Sequence, residues 1–224
     1  MNPTEIAVRR RAPGLLETHR VLRNTYALLA MTLIFSAVCA AASMMLELPY
    51  PGVLVTLVGY FGLLYLVNRF NDRALGLLFL FALTGFMGMT LGPILNGYIG
   101  HYANGTQLVA MAMGGTGLTF IGLSAYALVT RKDFSFMGGM LGAGILVAFL
   151  AGLAAVFIPG LTALSMTVSV MFVLLMSGMV LYQTSAIIHG GETNYINATL
   201  TLFVTLYNMF TSLLQLFGII EGED

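Results

Sequence analysis

Charged residues are scarce in this chain, and its long apolar segments contain none. Asp, Glu, Lys and Arg make up 8% of the 224 residues, against about 25% in a typical soluble domain. Hydrophobic residues make up 58%. Nine basic residues are offset by nine acidic ones, so we expect no nucleic-acid-binding surface. The composition predicts an integral membrane protein, and the lipid bilayer is therefore one of its predicted partners.

Other residue types that are rare here exclude several kinds of site. Cys39 is the only cysteine, which excludes an intrachain disulfide and a cysteine-based metal site. Lys132, the only lysine, lies between apolar segments, so no retinal Schiff base is expected. His19, His101 and His189 are far apart, and no metal cluster is predicted.

The chain also shows no motif that would make it an enzyme. It contains no phosphate-binding loop, no cofactor motif and no recognisable catalytic constellation, so we expect neither an enzyme nor a cofactor. Carboxylates within a membrane usually mark proton and ion pathways, and the absence of Asp and Glu from the apolar segments argues against a carboxylate-driven transporter.

Seven apolar segments divide the chain, most of them close to the roughly 20 residues that a transmembrane helix needs. The loops between them are too short for a soluble domain. We therefore predict a cytoplasmic N-terminal tail over 1–24, a membrane domain over 25–219 and an acidic C-terminal tail over 220–224. The predicted helices are Thr25–Leu46, Gly52–Val67, Ala74–Ile99, Leu108–Thr130, Phe136–Ile158, Leu161–His189 and Tyr195–Ile219.

All basic residues can be assigned to one side of the membrane. They precede the first segment or lie in the second and fourth loops, and the other loops have no Lys or Arg. Short loops rich in Lys and Arg stay on the cytoplasmic side, so the N-terminus is predicted inside and the C-terminus outside. The residues are Arg9, Arg10, Arg11, Arg20, Arg23, Arg69, Arg73, Arg131 and Lys132.

The third segment carries a proline and a face of small residues. Pro93 removes a backbone donor and disfavours helix before it, which predicts a kink or break near the outer end. Gly88 and Gly92 are four residues apart, as are Gly138 and Gly142 in the fifth segment. Such faces allow helices to approach closely, and we favour packing within the chain over dimerisation.

The seventh segment has a polar face. With an advance of about 100° per residue, its polar side chains share an arc of about 80°. Polar side chains in membranes bond to other helices or line wet cavities. The arc predicts that this helix lies inside the bundle, and it leaves structural hydrogen bonding and a hydrated cavity as alternatives. Its members are Asn197, Thr201, Thr205, Asn208, Ser212 and Gln215.

Several short stretches between about residues 20 and 220 are specific in combination. They are Val21–Tyr26, Leu83–Phe86, Thr90–Leu95, Ser124–Tyr126, Thr130–Phe136, His189–Ile196 and Leu206–Asn208. Together they resemble the Bax inhibitor-1 superfamily, in particular its bacterial YccA-like branch.

The resemblance implies a fold and a function. The fold is all-α, with seven transmembrane helices of which the seventh is enclosed by the other six. The YccA-like branch binds and restrains the membrane AAA protease FtsH, so the implied partners are FtsH and its membrane partners. The implied location is the bacterial inner membrane, where the orientation predicted from the basic residues places the N-terminus in the cytoplasm and the C-terminus in the periplasm.

The wider family suggests an alternative, a passive calcium or cation leak. Leak members carry two aspartates on the last two helices that act as a pH-sensitive pair, because neighbouring carboxylates perturb each other's titration. The matching positions here hold Gln183 and Thr205. Neither side chain titrates usefully, so a pH-gated leak is not expected, and the protease modulator is the favoured hypothesis.

Overall fold

The computed structural model describes residues 15–158 and 162–222, and seven α-helices lie within these stretches. All seven are long and apolar enough to cross a membrane, which confirms the predicted all-α membrane fold. A short 3-10 turn, Ser135–Met137, precedes the fifth helix. The helices are α1 (Leu15–Met45), α2 (Val53–Phe70), α3 (Ala74–His101), α4 (Gly105–Thr130), α5 (Gly138–Phe157), α6 (Thr162–Ile188) and α7 (Tyr195–Glu221).

The first helix starts earlier than the apolar pattern indicates. α1 begins at Leu15 rather than at Thr25, so the end of the predicted tail is helical. Hydropathy marks the part of a helix that lies in hydrocarbon, whereas backbone hydrogen bonding continues into the polar interface. Residues 1–14, residues 159–161 between α5 and α6, and the last two residues of the acidic tail lie outside the described residues.

Helices α1 and α3 approach each other at the predicted glycine face. A Cβ built on Gly88 would collide with the backbone carbonyl of Ser36, and one on Gly92 would lie 2.6 Å from the Cβ of Ser43. Because the obstacle at Gly88 is backbone, no side-chain rotation would relieve it. The prediction of packing within the chain is confirmed for this face.

Of the kink or break predicted near Pro93, the break does not occur, because α3 runs without interruption from Ala74 to His101; a kink at this position stays a prediction. Proline has no N–H, so the carbonyl four residues earlier, that of Met89, loses its helical donor. The Ser43 hydroxyl of α1 donates to this oxygen over 2.8 Å. Asn96 of α3 donates in return to the Met44 carbonyl near the end of α1, over 3.1 Å. A neighbouring helix therefore supplies the hydrogen bond that the proline removes.

Helix α7 occupies a central position. It packs directly against α1, α3, α4 and α6, and Leu202, Phe203 and Met209 on it are almost completely buried. α2 and α5 are the least buried helices. In the most apolar 18-residue stretch of each helix, 6% of α2 and 11% of α5 is buried, against 39% of α7. That all six helices enclose α7 stays a prediction.

Candidate functional site: a cavity lined by the polar face of the seventh helix

A cavity of about 620 Å³ lies between α2, α3, α5, α6 and α7. Most of its lining is apolar, including Phe61 of α2, Phe149 of α5 and Phe172 of α6. The lining residues with a hydroxyl or amide group come from α2, α3 and α7, and they are Thr56, Tyr60, Asn68, Thr90, Thr201, Thr205, Tyr207 and Asn208. α2 and α5 therefore face α7 across this space.

The polar side chains of the α7 arc fall into two groups with different surroundings. The middle members, Thr201, Thr205 and Asn208, line the cavity. The end members bond to other parts of the chain. The amide of Asn71 donates to Asn197 Oδ1 over 3.0 Å, and the hydroxyl of Ser169 donates to Gln215 Oε1 over 3.0 Å.

Ser212, the remaining member, is buried between these regions. Structural hydrogen bonding applies to the ends of the arc, whereas hydration of the cavity stays a prediction. The ends form interhelical hydrogen bonds, and the middle lines a cavity.

Two of the polar side chains in the cavity donate to carbonyl oxygens of their own helix. Thr205 Oγ1 donates to the carbonyl of Thr201 over 2.7 Å, and Asn208 Nδ2 donates to that of Val204 over 2.8 Å. Such bonds let a helix carry polar side chains in an apolar interior, since the buried donors are satisfied locally.

Gln183 and Thr205 are both buried, at 5% and 2% exposure, but they differ in setting. Thr205 lines the cavity, whereas Gln183 is not among the described lining residues. Gln183 Nε2 lacks a hydrogen-bond partner among the described residues. An unmet buried donor costs about 1–3 kcal/mol. Both groups are neutral, so neither supplies the titration that a carboxylate pair would.

One end of the bundle is joined by a network that the sequence reasoning missed. Asn194 caps α7, because its Oδ1 accepts from the N–H groups of Ile196 (2.9 Å) and Asn197 (3.3 Å). Its Nδ2 donates to Asp72 Oδ1 over 3.1 Å and to the Asn71 carbonyl over 3.2 Å. Asparagine just before a helix is a common cap signal, but its second partner is remote in sequence.

The α4–α5 loop is joined to the same end. His189, just after α6, places Nε2 at 3.1 Å from the Arg131 carbonyl and Nδ1 at 2.9 Å from the Ser185 carbonyl. The Ser185 hydroxyl donates to the Lys132 carbonyl over 3.1 Å and accepts from the Phe134 N–H over 3.0 Å. The last turn of α2, which carries Arg69, and the loops that carry Arg73, Arg131 and Lys132 therefore lie at one end of the bundle, hereafter the basic end.

Asp133 in this loop is exposed, and its carboxylate accepts from the hydroxyl and the N–H of Ser135. These two hydrogen bonds, with a smaller contribution from nearby His189, lower the pKa of Asp133 from its usual value. The charged form thus stabilises the start of the turn before α5.

A family model described as "Inhibitor of apoptosis-promoting Bax1" matches residues 18–222. The chain belongs to this Bax inhibitor-1 family. The match extends from α1 into the residue after α7, so it covers all seven helices.

Several curated relatives are similar over most of their length. The chain is 53% identical over 205 residues to "Modulator of FtsH protease YccA" of Escherichia coli K12, covering 92% of each protein. It has the same identity and coverage with "Inner membrane protein YccA" of E. coli O6:H1. An uncharacterized protein of Pseudomonas aeruginosa is 53% identical over 208 residues, covering 93% of each. The resemblance to the YccA-like branch is confirmed.

Proposed function

We propose that this chain binds the membrane protease FtsH and modulates it at the bacterial inner membrane. The observation that carries the proposal is the 53% identity, over 92% of both chains, to a protein named as a modulator of that protease. The neutral residues Gln183 and Thr205, at the positions where leak members carry aspartates, favour modulation over a pH-gated leak. A regulatory role requires no catalytic group in the chain.

In this proposal the helical bundle supplies the binding surface, and the N-terminal segment supplies a point of attack for the protease. The segment before Leu15 is polar and contains Pro3, Pro13 and Gly14, and chain termini are common sites of proteolytic attack. Residues 2–14 precede the described part of α1, so removing them leaves every described residue of that helix in place.

Affinity purification from native membranes, paired with a pulse-chase, tests this division. The full chain is expected to co-purify FtsH and its membrane partners. A variant lacking residues 2–14 should co-purify FtsH equally well and have a longer lifetime. A matched control replaces the same residues with a Gly/Ser segment of equal length, which should restore turnover if any accessible segment suffices.

Failure of the full chain to co-purify FtsH would overturn the proposed function. An unchanged lifetime of the deletion variant would refute only the N-terminal point of attack.

We propose the orientation with the basic end in the cytoplasm and the C-terminus in the periplasm. The charge distribution supports it, as does the gathering of the basic loops at one end. A periplasm-active reporter fused after Asp224 should be active, and one inserted between Arg69 and Arg73 should be inactive. The reverse pattern at both sites would refute the orientation.

Calcium flux into vesicles separates modulation from the leak alternative. Between about pH 6 and about pH 8, the protein should show little pH-dependent calcium flux, since neither Gln183 nor Thr205 titrates. The double variant Gln183→Asp with Thr205→Asp serves as the comparison, because it introduces two titratable carboxylates. A strong pH-gated flux in the unmodified protein would favour the channel.

A further inference from the structure

A second cleft, separate from the cavity, opens between the start of α1 and the end of α4 at the basic end of the bundle. Its volume is about 580 Å³. We propose that this cleft binds the phosphate headgroup of an anionic phospholipid. The described residues that line it are His19, Arg20, Leu22, Arg23, Tyr26 and Leu128.

The polar wall of the cleft has the chemistry of a phosphate site. Arg20 and Arg23 are three residues apart on α1, so they project from the same helical face, and both are exposed. Guanidinium groups bind phosphate oxygens through paired hydrogen bonds. His19 adds a further ring nitrogen, and no described lining residue is acidic.

The position along α1 points to a lipid rather than to a free anion. The apolar part of α1 begins at Thr25, so Arg20 and Arg23 lie in the helical turns just before it, where the lipid headgroups are expected. Met31 and Ile34 are exposed apolar residues on the same face as the arginines, at 52% and 66% exposure. A phospholipid contacts both parts of this face, whereas inorganic phosphate contacts only the cationic part.

The inner end of the cleft is held in place before any ligand binds. The Tyr26 ring stacks on Phe120 of α4 with 5.8 Å between centroids. Its hydroxyl lies 3.3 Å from Thr184 Oγ1 of α6. Leu128 of α4 lines the cleft across from the α1 residues. The exposed Ile121 lies two turns earlier on the same face of α4 as Leu128. The described lining therefore comes from α1 and α4, and α6 helps to hold Tyr26 in place.

Native mass spectrometry of the full chain released from nanodiscs provides the test. The nanodiscs contain equal amounts of phosphatidylglycerol and phosphatidylcholine, and the lipids retained by the protein are counted. The variant Arg20→Gln with Arg23→Gln removes the two cations of the cleft. The control, Arg69→Gln with Arg73→Gln, removes two exposed arginines from the same end and changes the net charge equally.

The unmodified protein and the control should both retain phosphatidylglycerol preferentially, and the cleft variant should lose that preference by about tenfold or more. An equal loss in both variants would overturn the proposal in favour of diffuse attraction, as would the absence of any preference. Inorganic phosphate at millimolar concentration should not displace the lipid; displacement would identify a free-phosphate site instead. Thermal unfolding of both variants must match the unmodified protein, and otherwise Arg23→Gln alone is compared with Arg69→Gln.

Discussion

Helices α1 and α3 meet so closely that glycine is required, whereas α2 and α5 stand apart around a cavity. At the close contact, the backbone of α1 fills the space where a Gly88 side chain would be. Across the cavity, the contact that joins α2 to α5 is an edge-to-face pair of Phe61 and Phe149, with centroids 5.9 Å apart. In the most apolar 18-residue stretch of each helix, 44% of α3 is buried but only 6% of α2.

This difference shows where the fold is rigid and where it can accept change. Close backbone contact leaves no volume to redistribute, so α1 and α3 set the shape of the bundle. The side formed by α2 and α5 (the open side, as opposed to the close side of α1 and α3) exposes polar groups of α7 to a cavity, and it has room for added volume at Gly142, where nothing lies within 4 Å of a built Cβ.

The largest effect is expected from Gly88→Ala, which adds one methyl group at the close contact. The new Cβ would meet the Ser36 carbonyl, and overpacking of this kind costs about 1–3 kcal/mol. The matched control is Gly142→Ala on the open side, where nothing lies within 4 Å. It should change stability by less than about 0.5 kcal/mol. Thermal unfolding in detergent measures both, and equal losses would contradict the contrast.

The open side is fixed to α7 at the basic end by Asn194, so Asn194→Ala should loosen α2. This substitution removes the cap of α7 and the hydrogen bonds to Asp72 and Asn71. We expect the free energy of unfolding to fall by about 1–2 kcal/mol. The control is Asn68→Ala, whose amide bonds only within α2, to Leu64. Hydrogen exchange of the α2–α3 loop should rise in the first variant and not in the second. Unchanged exchange in the first variant would refute the link.

The close side also depends on the bond between Ser43 and Met89. Ser43→Ala should cost about 1 kcal/mol, because the carbonyl that Pro93 leaves without a donor would lose its replacement. Ser177→Ala is the control, since that hydroxyl bonds within its own helix to Val173. Combining Ser43→Ala with Pro93→Ala restores an N–H to α3, so the Ser43 effect should largely vanish. Additive losses in this double-mutant cycle would contradict the mechanism.

The smallest effect is expected at Asp133, in the loop that leads into α5. Its pKa is lowered in the folded state, so the charged form stabilises folding above the unfolded pKa of about 3.9. That contribution is lost as pH falls through the folded pKa. Asp133→Asn should slightly lower the unfolding temperature at neutral pH, and the difference should disappear in acid. A difference that persists in acid would show that the charge is not responsible.

The local features of the chain could be predicted from sequence because they depend on composition and helical period. The length and hydropathy of each segment determine seven membrane helices. The spacing of Gly88 and Gly92 determines a face that admits a close neighbour. The spacing of Asn197, Thr201 and Asn208 determines a polar face on α7.

Only the tertiary structure decided which polar groups bond to each other, because these hydrogen bonds join residues that are remote in sequence. The Ser43 hydroxyl replaces the donor lost at the Met89 carbonyl only because α1 lies beside α3, and without that placement Pro93 predicted a kink or a break. The same holds for the division of the polar arc, where Asn197 meets Asn71 while Thr201 and Thr205 face the cavity. A helical pattern specifies the direction of a side chain around its own axis, whereas packing of the other helices decides what occupies that direction.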